Sequence, residues 1–176
     1  MFNVNGTNIE LSRGDTGAIR MRVPATRKDT GEPYTFGERD RAVFSIKGGN
    51  GNIVKQKSYQ MKDNTFTVIF MNGDTDTLSP GGYQWDVRCV INPYYTDEIP
   101  YGPWPEYDEL TYPVAVGDKV KHGGTYYTAI ATIASEEEWN PEHWQCADGR
   151  IPVDGDQVIT PKLPMSVNLL TVVGDI

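Results

Sequence analysis

The side chains able to do chemistry are few in this sequence, and their spacing matches no reactive motif. His122 and His143 are the only histidines and lie far apart, with no HExxH and no Cys/His cluster, so the ligand spacing of a zinc site is not met. Asp74 with Asp76, and Asp154 with Asp156, form two Asp-x-Asp pairs. A calcium loop of the EF-hand kind needs a further oxygen ligand, a central glycine and a closing glutamate at fixed spacing. Solvated turns are therefore expected at both pairs. Glu136-Glu137-Glu138 follow Ser135, and Ser-x-x-Glu is the signature of a capping box for one helical turn before Asn140-Pro141. Glycosidase chemistry would need two carboxyls about 5–9 Å apart across a cleft, which one acidic turn does not build. Gly-x-Ser-x-Gly, phosphate-loop and dinucleotide fingerprints are all missing. The expectation is a chain that is not an enzyme, with no catalytic residue, no metal site and no cofactor.

Aromatic rings are what the sequence does concentrate. Residues 93–146 hold 10 of the chain's 19 aromatics, among them Trp104, Trp139 and Trp144. Sugar rings pack their flat C–H faces on indole and phenol rings while flanking polar groups bond the hydroxyls. Trp104, Trp139, Tyr101 and Tyr107 lie in polar, proline-rich surroundings and are stacking candidates, with Tyr126 beside them. Three readings stand open. The rings supply a core to a unit too small to make one from aliphatics, or they form a protein contact, or they hold a glycan, since aromatics dominate contact energies in either case.

The elements that must carry these residues are strands. The chain has 176 residues, 38% of them apolar and 23% charged, with 18 Gly and 12 Pro scattered throughout. That is room for one core and a satellite, punctuated as short strands and tight turns are. A net charge of −8 argues against nucleic acid, which needs clustered Lys and Arg. No apolar run reaches the roughly 20 residues of a membrane span, and Met1 leads into Phe2-Asn3-Val4 with no secretory pattern. Cys89 and Cys146 are then expected as reduced thiols. Asn5-Gly6-Thr7, a glycosylation sequon by pattern, is expected to be inert, and Arg13-Gly14-Asp15 reads as an ordinary turn.

Ala18–Val23 alternates apolar and charged residues until Pro24 stops it. Ala42–Lys47, Ile53–Gln60 and Thr65–Phe70 follow as strands joined in a hairpin meander. Tyr83–Ile91 is the clearest strand, with Tyr83, Trp85, Val87, Cys89 and Ile91 facing a core. Met165–Val173 closes the chain. This pattern predicts an all-β fold, an immunoglobulin-like antiparallel β-sandwich. Between the last two strands, residues 92–164 are far too long for a structureless loop. An inserted module is expected there, at residues 96–146, leaving 1–95 with 147–176 as the sandwich.

Two resemblances bear on this division. Leu11–Gly17, Arg41–Lys47, Gly73–Leu78, Pro80–Arg88, Asp154–Pro161 and Val172–Ile176 resemble tail or baseplate structural proteins of phages and prophages of Gram-positive gut bacteria. They are similar to the N-terminal domain of baseplate upper proteins, which implies a sandwich used for assembly. The insert resembles small chitin- and cellulose-binding modules of three strands. Gly117-Asp118-Lys119-Val120, Gly124-Thr125-Tyr126-Tyr127-Thr128-Ala129, Pro141 and Trp144 carry that likeness. It implies a small core built around Tyr127, Trp144, Gly117 and Asp118. Where such modules place exposed aromatics after Ala129, this chain has Ile130-Ala131-Thr132-Ile133.

Together these readings imply a non-enzymatic virion protein of a phage tail or baseplate, assembled in the bacterial cytoplasm, with the module projecting outward. The partners expected are other tail or baseplate proteins and further copies of the chain. The alternative is a carbohydrate-binding protein that attaches to cell-wall glycan through the insert.

Overall fold

The computed structural model of the chain describes residues 1–96, 103–163 and 169–174. The chain divides into two compact units, Met1–Tyr94 with Ile151–Ile176, and Tyr95–Arg150. Among the described residues fifteen strands run in the order β1 (Phe2–Asn5), β2 (Asn8–Ser12), β3 (Gly17–Arg22), β4 (Ala25–Arg27), β5 (Pro33–Tyr34), β6 (Arg41–Lys47), β7 (Ile53–Gln60), β8 (Thr65–Phe70), β9 (Gly81–Tyr94), β10 (Lys119–His122), β11 (Thr125–Ala129), β12 (Trp144–Cys146), β13 (Asp154–Asp156), β14 (Ile159–Pro161) and β15 (Leu169–Val173). The fold is all-β and sandwich-like. The first part of the strand expected from Met165 lies outside the described residues.

In the first unit a seven-stranded sheet has the order β1-β2-β15-β9-β6-β7, with β13 also on β9. Its ladders are antiparallel except for β15 on β2, which is parallel. The two-stranded sheet β3–β8 and the small sheet β14-β4-β5 contribute to the same core. The period-two expectation holds in β9, where Trp85, Val87 and Ile91 are buried and Tyr83 and Cys89 pack against them half-buried. Burial, with the charge of Asp40 behind it, pushes the Cys89 thiol up to about 12.

A run of aromatic rings ties the layers together. Trp85 stacks on Phe44 at 5.4 Å between centroids, and Phe44 meets Phe70 of β8 edge-on at 5.9 Å. Phe70 in turn lies 6.0 Å from Phe2. The Trp85 indole N–H donates to the Thr7 carbonyl at 2.9 Å, so this buried ring also fixes the β1–β2 turn. Each such side chain contributes about 2–3 kcal/mol by area.

The expected meander breaks after β7. Asp63 and Asn64 both take positive φ, at 50° and 60°, as a tight two-residue hairpin turn requires. Yet beyond the Lys62–Thr65 bridge β8 leaves β7 and pairs with β3. Phe66, Val68 and Phe70 are thereby buried from the opposite layer. Side chains of β7 replace the lost ladder. The Tyr59 hydroxyl donates to the Ile69 carbonyl and accepts from the Ile69 N–H, both at 3.2 Å, and Lys57 Nζ donates to the same carbonyl at 2.9 Å.

The Asp-x-Asp pairs part company. Asp74 is not solvated but 7% exposed. It closes the single helical turn α1 (Asn72–Thr75), accepting from the Met71 N–H at 2.7 Å and from Lys57 Nζ at 2.5 Å. Burial opposes its ionisation, but the Lys57 and Met71 bonds outweigh that and hold the carboxyl below its ordinary range. Asp76, Asp154 and Asp156 are exposed, the last two in strand β13 and not in the expected turn. At Arg13-Gly14-Asp15, Gly14 has φ 77° and its N–H donates to Thr75 Oγ1 at 3.0 Å, a closed turn between β2 and β3.

The second unit begins at Tyr95 and ends at Arg150, one residue before and four beyond the expected limits. It is followed by three strands rather than one, because β13 and β14 precede β15. β13 returns directly onto β9, with Asp154 opposite Tyr94 and the Val153 N–H on the Tyr94 carbonyl at 3.0 Å. A Cβ on Gly155 would stand 2.1 Å from the Ile91 carbonyl oxygen. Gly155→Ala is expected to cost about 1–3 kcal/mol in denaturant unfolding, whereas Gly49→Ala, with open space around it, should be near neutral. Replacing residues 95–150 by a short Gly-Ser linker should leave a cooperatively folded sandwich; loss of its near-UV circular dichroism would show that the second unit supplies part of that core.

Candidate functional site

In the second unit β10, β11 and β12 form an antiparallel sheet in that order. The Gly117-Asp118 turn starts it. Gly117 takes φ 95° and its N–H reaches the Ala129 carbonyl at 2.9 Å. The Asp118 carboxylate accepts from the Ala115 N–H at 2.8 Å. Both residues are exposed, so their part in the module is to shape the turn rather than to fill the core.

Alternation then assigns two faces. Val120, Tyr127, Ala129 and Trp144 are buried together with Val114 and Ile133. Val114 and Ile133 exchange both backbone bonds, at 2.9 and 3.0 Å. Against this core lies Trp139. Its indole is near-parallel to His122 at 4.0 Å and to Trp144 at 5.6 Å, and Tyr107 and Tyr127 meet it edge-on at 5.0 and 4.7 Å. The segment bearing Trp139 is pinned by the Tyr107 hydroxyl on the Glu137 carbonyl at 2.9 Å and by His143 Nδ1 against Glu137 Oε1 at 2.6 Å. Burial and the neighbouring Tyr112 and Glu137 push the Tyr107 phenol up to about 12. The helical turn expected after Ser135 is not there. A 3-10 turn at Pro141–His143 replaces it, capped by the Asn140 side chain on the Glu142 N–H. Asn at the cap and proline in the first helical position favour that later start.

The opposite face carries Lys119, Lys121, Tyr126, Thr128 and Gln145. Trp104 stands edge-on to Tyr126 at 5.4 Å, and Lys119 Nζ lies 5.1 Å from the Trp104 ring centre. Lys121 pairs with Glu106 at 3.1 Å. Arg150 places its guanidinium 4.0 Å over Tyr95 and 5.8 Å from Tyr126. It is held there by two bonds to the buried Asp148 carboxylate, at 2.9 and 2.8 Å. Tyr95 and Arg150, the first and last residues of the unit, thus clasp each other.

The expected stacking residues therefore separate. Trp139 and Tyr107 pack against the module core, Trp104 and Tyr126 meet on the other face, and Tyr101 lies outside the described residues. Tyr127 and Trp144 are core, at 3% and 4% exposure. Ile133 is buried while Ile130 is 51% exposed. Sequence reasoning missed His122, Tyr95, Asp148 and Arg150. His122 was legible as the residue two beyond Val120 in a strand, and Asp148 with Arg150 as an opposite-charge pair two residues apart. The approach of Tyr95 to Arg150 is a contact across the whole module, with no local signal.

Charge is divided as unevenly as the rings. Residues 95–150 hold eleven Asp and Glu against three Lys and Arg, while the first unit has thirteen of each. The whole net charge of the chain is in the module, which disfavours anionic ligands there. Among the described residues no group of three His, Cys, Asp or Glu gathers as a metal site. The arrangement can stack and hydrogen-bond.

Trp139→Ala is expected to destabilise the module by about 3 kcal/mol, read as lost hydrogen-exchange protection in β10–β12. Trp104→Ala should leave that protection in place. Comparison with known protein families, with curated proteins and with solved structures returned no match to this chain.

Proposed function

We propose that this chain is a non-enzymatic structural protein of a phage tail or baseplate, resident in the virion. In this reading the sandwich serves assembly and the module is a contact unit for neighbouring proteins. The observation that carries it is how the module uses its aromatics. Trp139, Tyr107, Tyr127 and Trp144 pack on one another and on His122, so they hold a small unit together instead of forming an open platform for sugar. The resemblance of the outer segments to tail and baseplate proteins supplies the setting. A sandwich with its own core suits a scaffold that carries an exchangeable unit.

A second reading is favoured by one observation, the pairing of Trp104 with Tyr126 on the far face of the module sheet. There a neutral cell-wall glycan is the ligand.

Co-expression with the products of adjacent genes tests the first reading. Co-purification with a tail protein supports it; a strictly monomeric chain whose gene lies outside any phage cluster would sink it. Retention on chitin or peptidoglycan, lost in Trp104→Ala and kept in a conservative Trp104→Phe, supports the second. Trp104→Ala is the cleaner probe because it leaves the module core intact.

A further inference from the structure

The first unit has an unfinished layer. Among the described residues β3 and β8 form a sheet of only two strands, and two strands are marginal where three or more are usual. β8 is bridged to β7 by Tyr59 and Lys57. Among the described residues β3 pairs only with β8, and no backbone bond outside the strand ladders reaches residues 17–22. Alternate N–H and C=O groups of β3 therefore point away from β8, with no partner among the described residues.

A slot of about 200 Å³ runs along that edge. Its far wall is the β1–β2 turn at Gly6-Thr7, and Ile19, Met21, Trp85 and Val87 line it. The space is below the roughly 300 Å³ at which small-molecule pockets begin, and suits a few side chains of an extended peptide. Arg20 and Arg22, which also border the slot, are exposed on the same face of β3.

We propose that β3 is a strand-acceptor edge, completed by an extended segment of another protein in which apolar and acidic residues alternate. Added strands take their affinity from main-chain bonds and their specificity from alternate side chains. One set of side chains enters the slot onto Ile19, Met21 and Trp85. The other set meets the exposed Arg20 and Arg22, which select carboxylates. A second copy of this chain fits poorly, because β3 against β3 sets arginine opposite arginine. The inference stands on the slot and the open edge, and does not depend on the tail reading.

Labelled peptides of about eight residues, alternating valine with glutamate, valine with lysine, or serine with glutamate, test it against the full chain. Fluorescence anisotropy should show binding of the valine–glutamate peptide, with the other two weaker by roughly tenfold or more. Hydrogen exchange should slow at residues 17–22 on binding. Arg20→Glu with Arg22→Glu, both at exposed positions, should invert the preference toward the lysine peptide. No binding up to about 1 mM, equal binding of the acidic and basic peptides, or binding without protection of residues 17–22 would each overturn the proposal. So would a free protein that is already a dimer protected at those residues.

Discussion

The contact on which the first unit depends is the ring sequence Trp85, Phe44, Phe70. Two of these residues lie in the large sheet and the third in the opposing pair, so the stack joins layers that share no continuous ladder. Everything between them follows from keeping water out of that seam. β6 is buried along almost its whole length, which is why Asp40, 3% exposed at its start, accepts from the Tyr34 hydroxyl and from the Gly37 and Asn92 N–H groups. A buried carboxylate left without such donors would be costly. The Trp85 bond to Thr7 extends the same seam to the β1–β2 turn.

The second unit solves a different problem with similar means. It has too few aliphatic residues for a core, so rings substitute. Aromatics bury much area per residue with few rotatable bonds, and Trp139 lies at the centre because four other rings reach it. That economy has a functional side. A ring enclosed by neighbours is no longer a surface on which a sugar can lie, and the module's acidity restricts its partners further. The rings outside that core are on the far face, where half-buried Trp104 and Tyr126 meet near Arg150.

Much of the fold was legible in the sequence because its strands alternate cleanly. β3, β8 and β9 could be read from apolar periodicity and β6 from its apolar run, and of the residues the pattern placed inward in β9, Trp85, Val87 and Ile91 are buried, with Val90 and Pro93 added. The hairpin between β7 and β8 was misread because the turn chemistry of Asp63-Asn64 is local, whereas the departure of β8 is dictated by which layer needs Phe66, Val68 and Phe70. Strands as short as β13 and β14 carry too few residues for a period to show. At the site, ring identity was legible but ring environment was not. Trp104 and Trp139 stand in similar polar, proline-bearing stretches, and only the pairing of β10 with β11 sends their surroundings to opposite faces.

The joint between the units has a consequence for chain length. On the sandwich side Tyr94 and Asp154 are partners in a ladder, so the two chain ends that leave it are already adjacent. On the module side Tyr95 and Arg150 clasp across 4.0 Å. A loop whose ends are held together costs only about 0.6 kcal/mol more for each doubling of its length. The length of the inserted segment is therefore free to change with little effect on the stability of the sandwich.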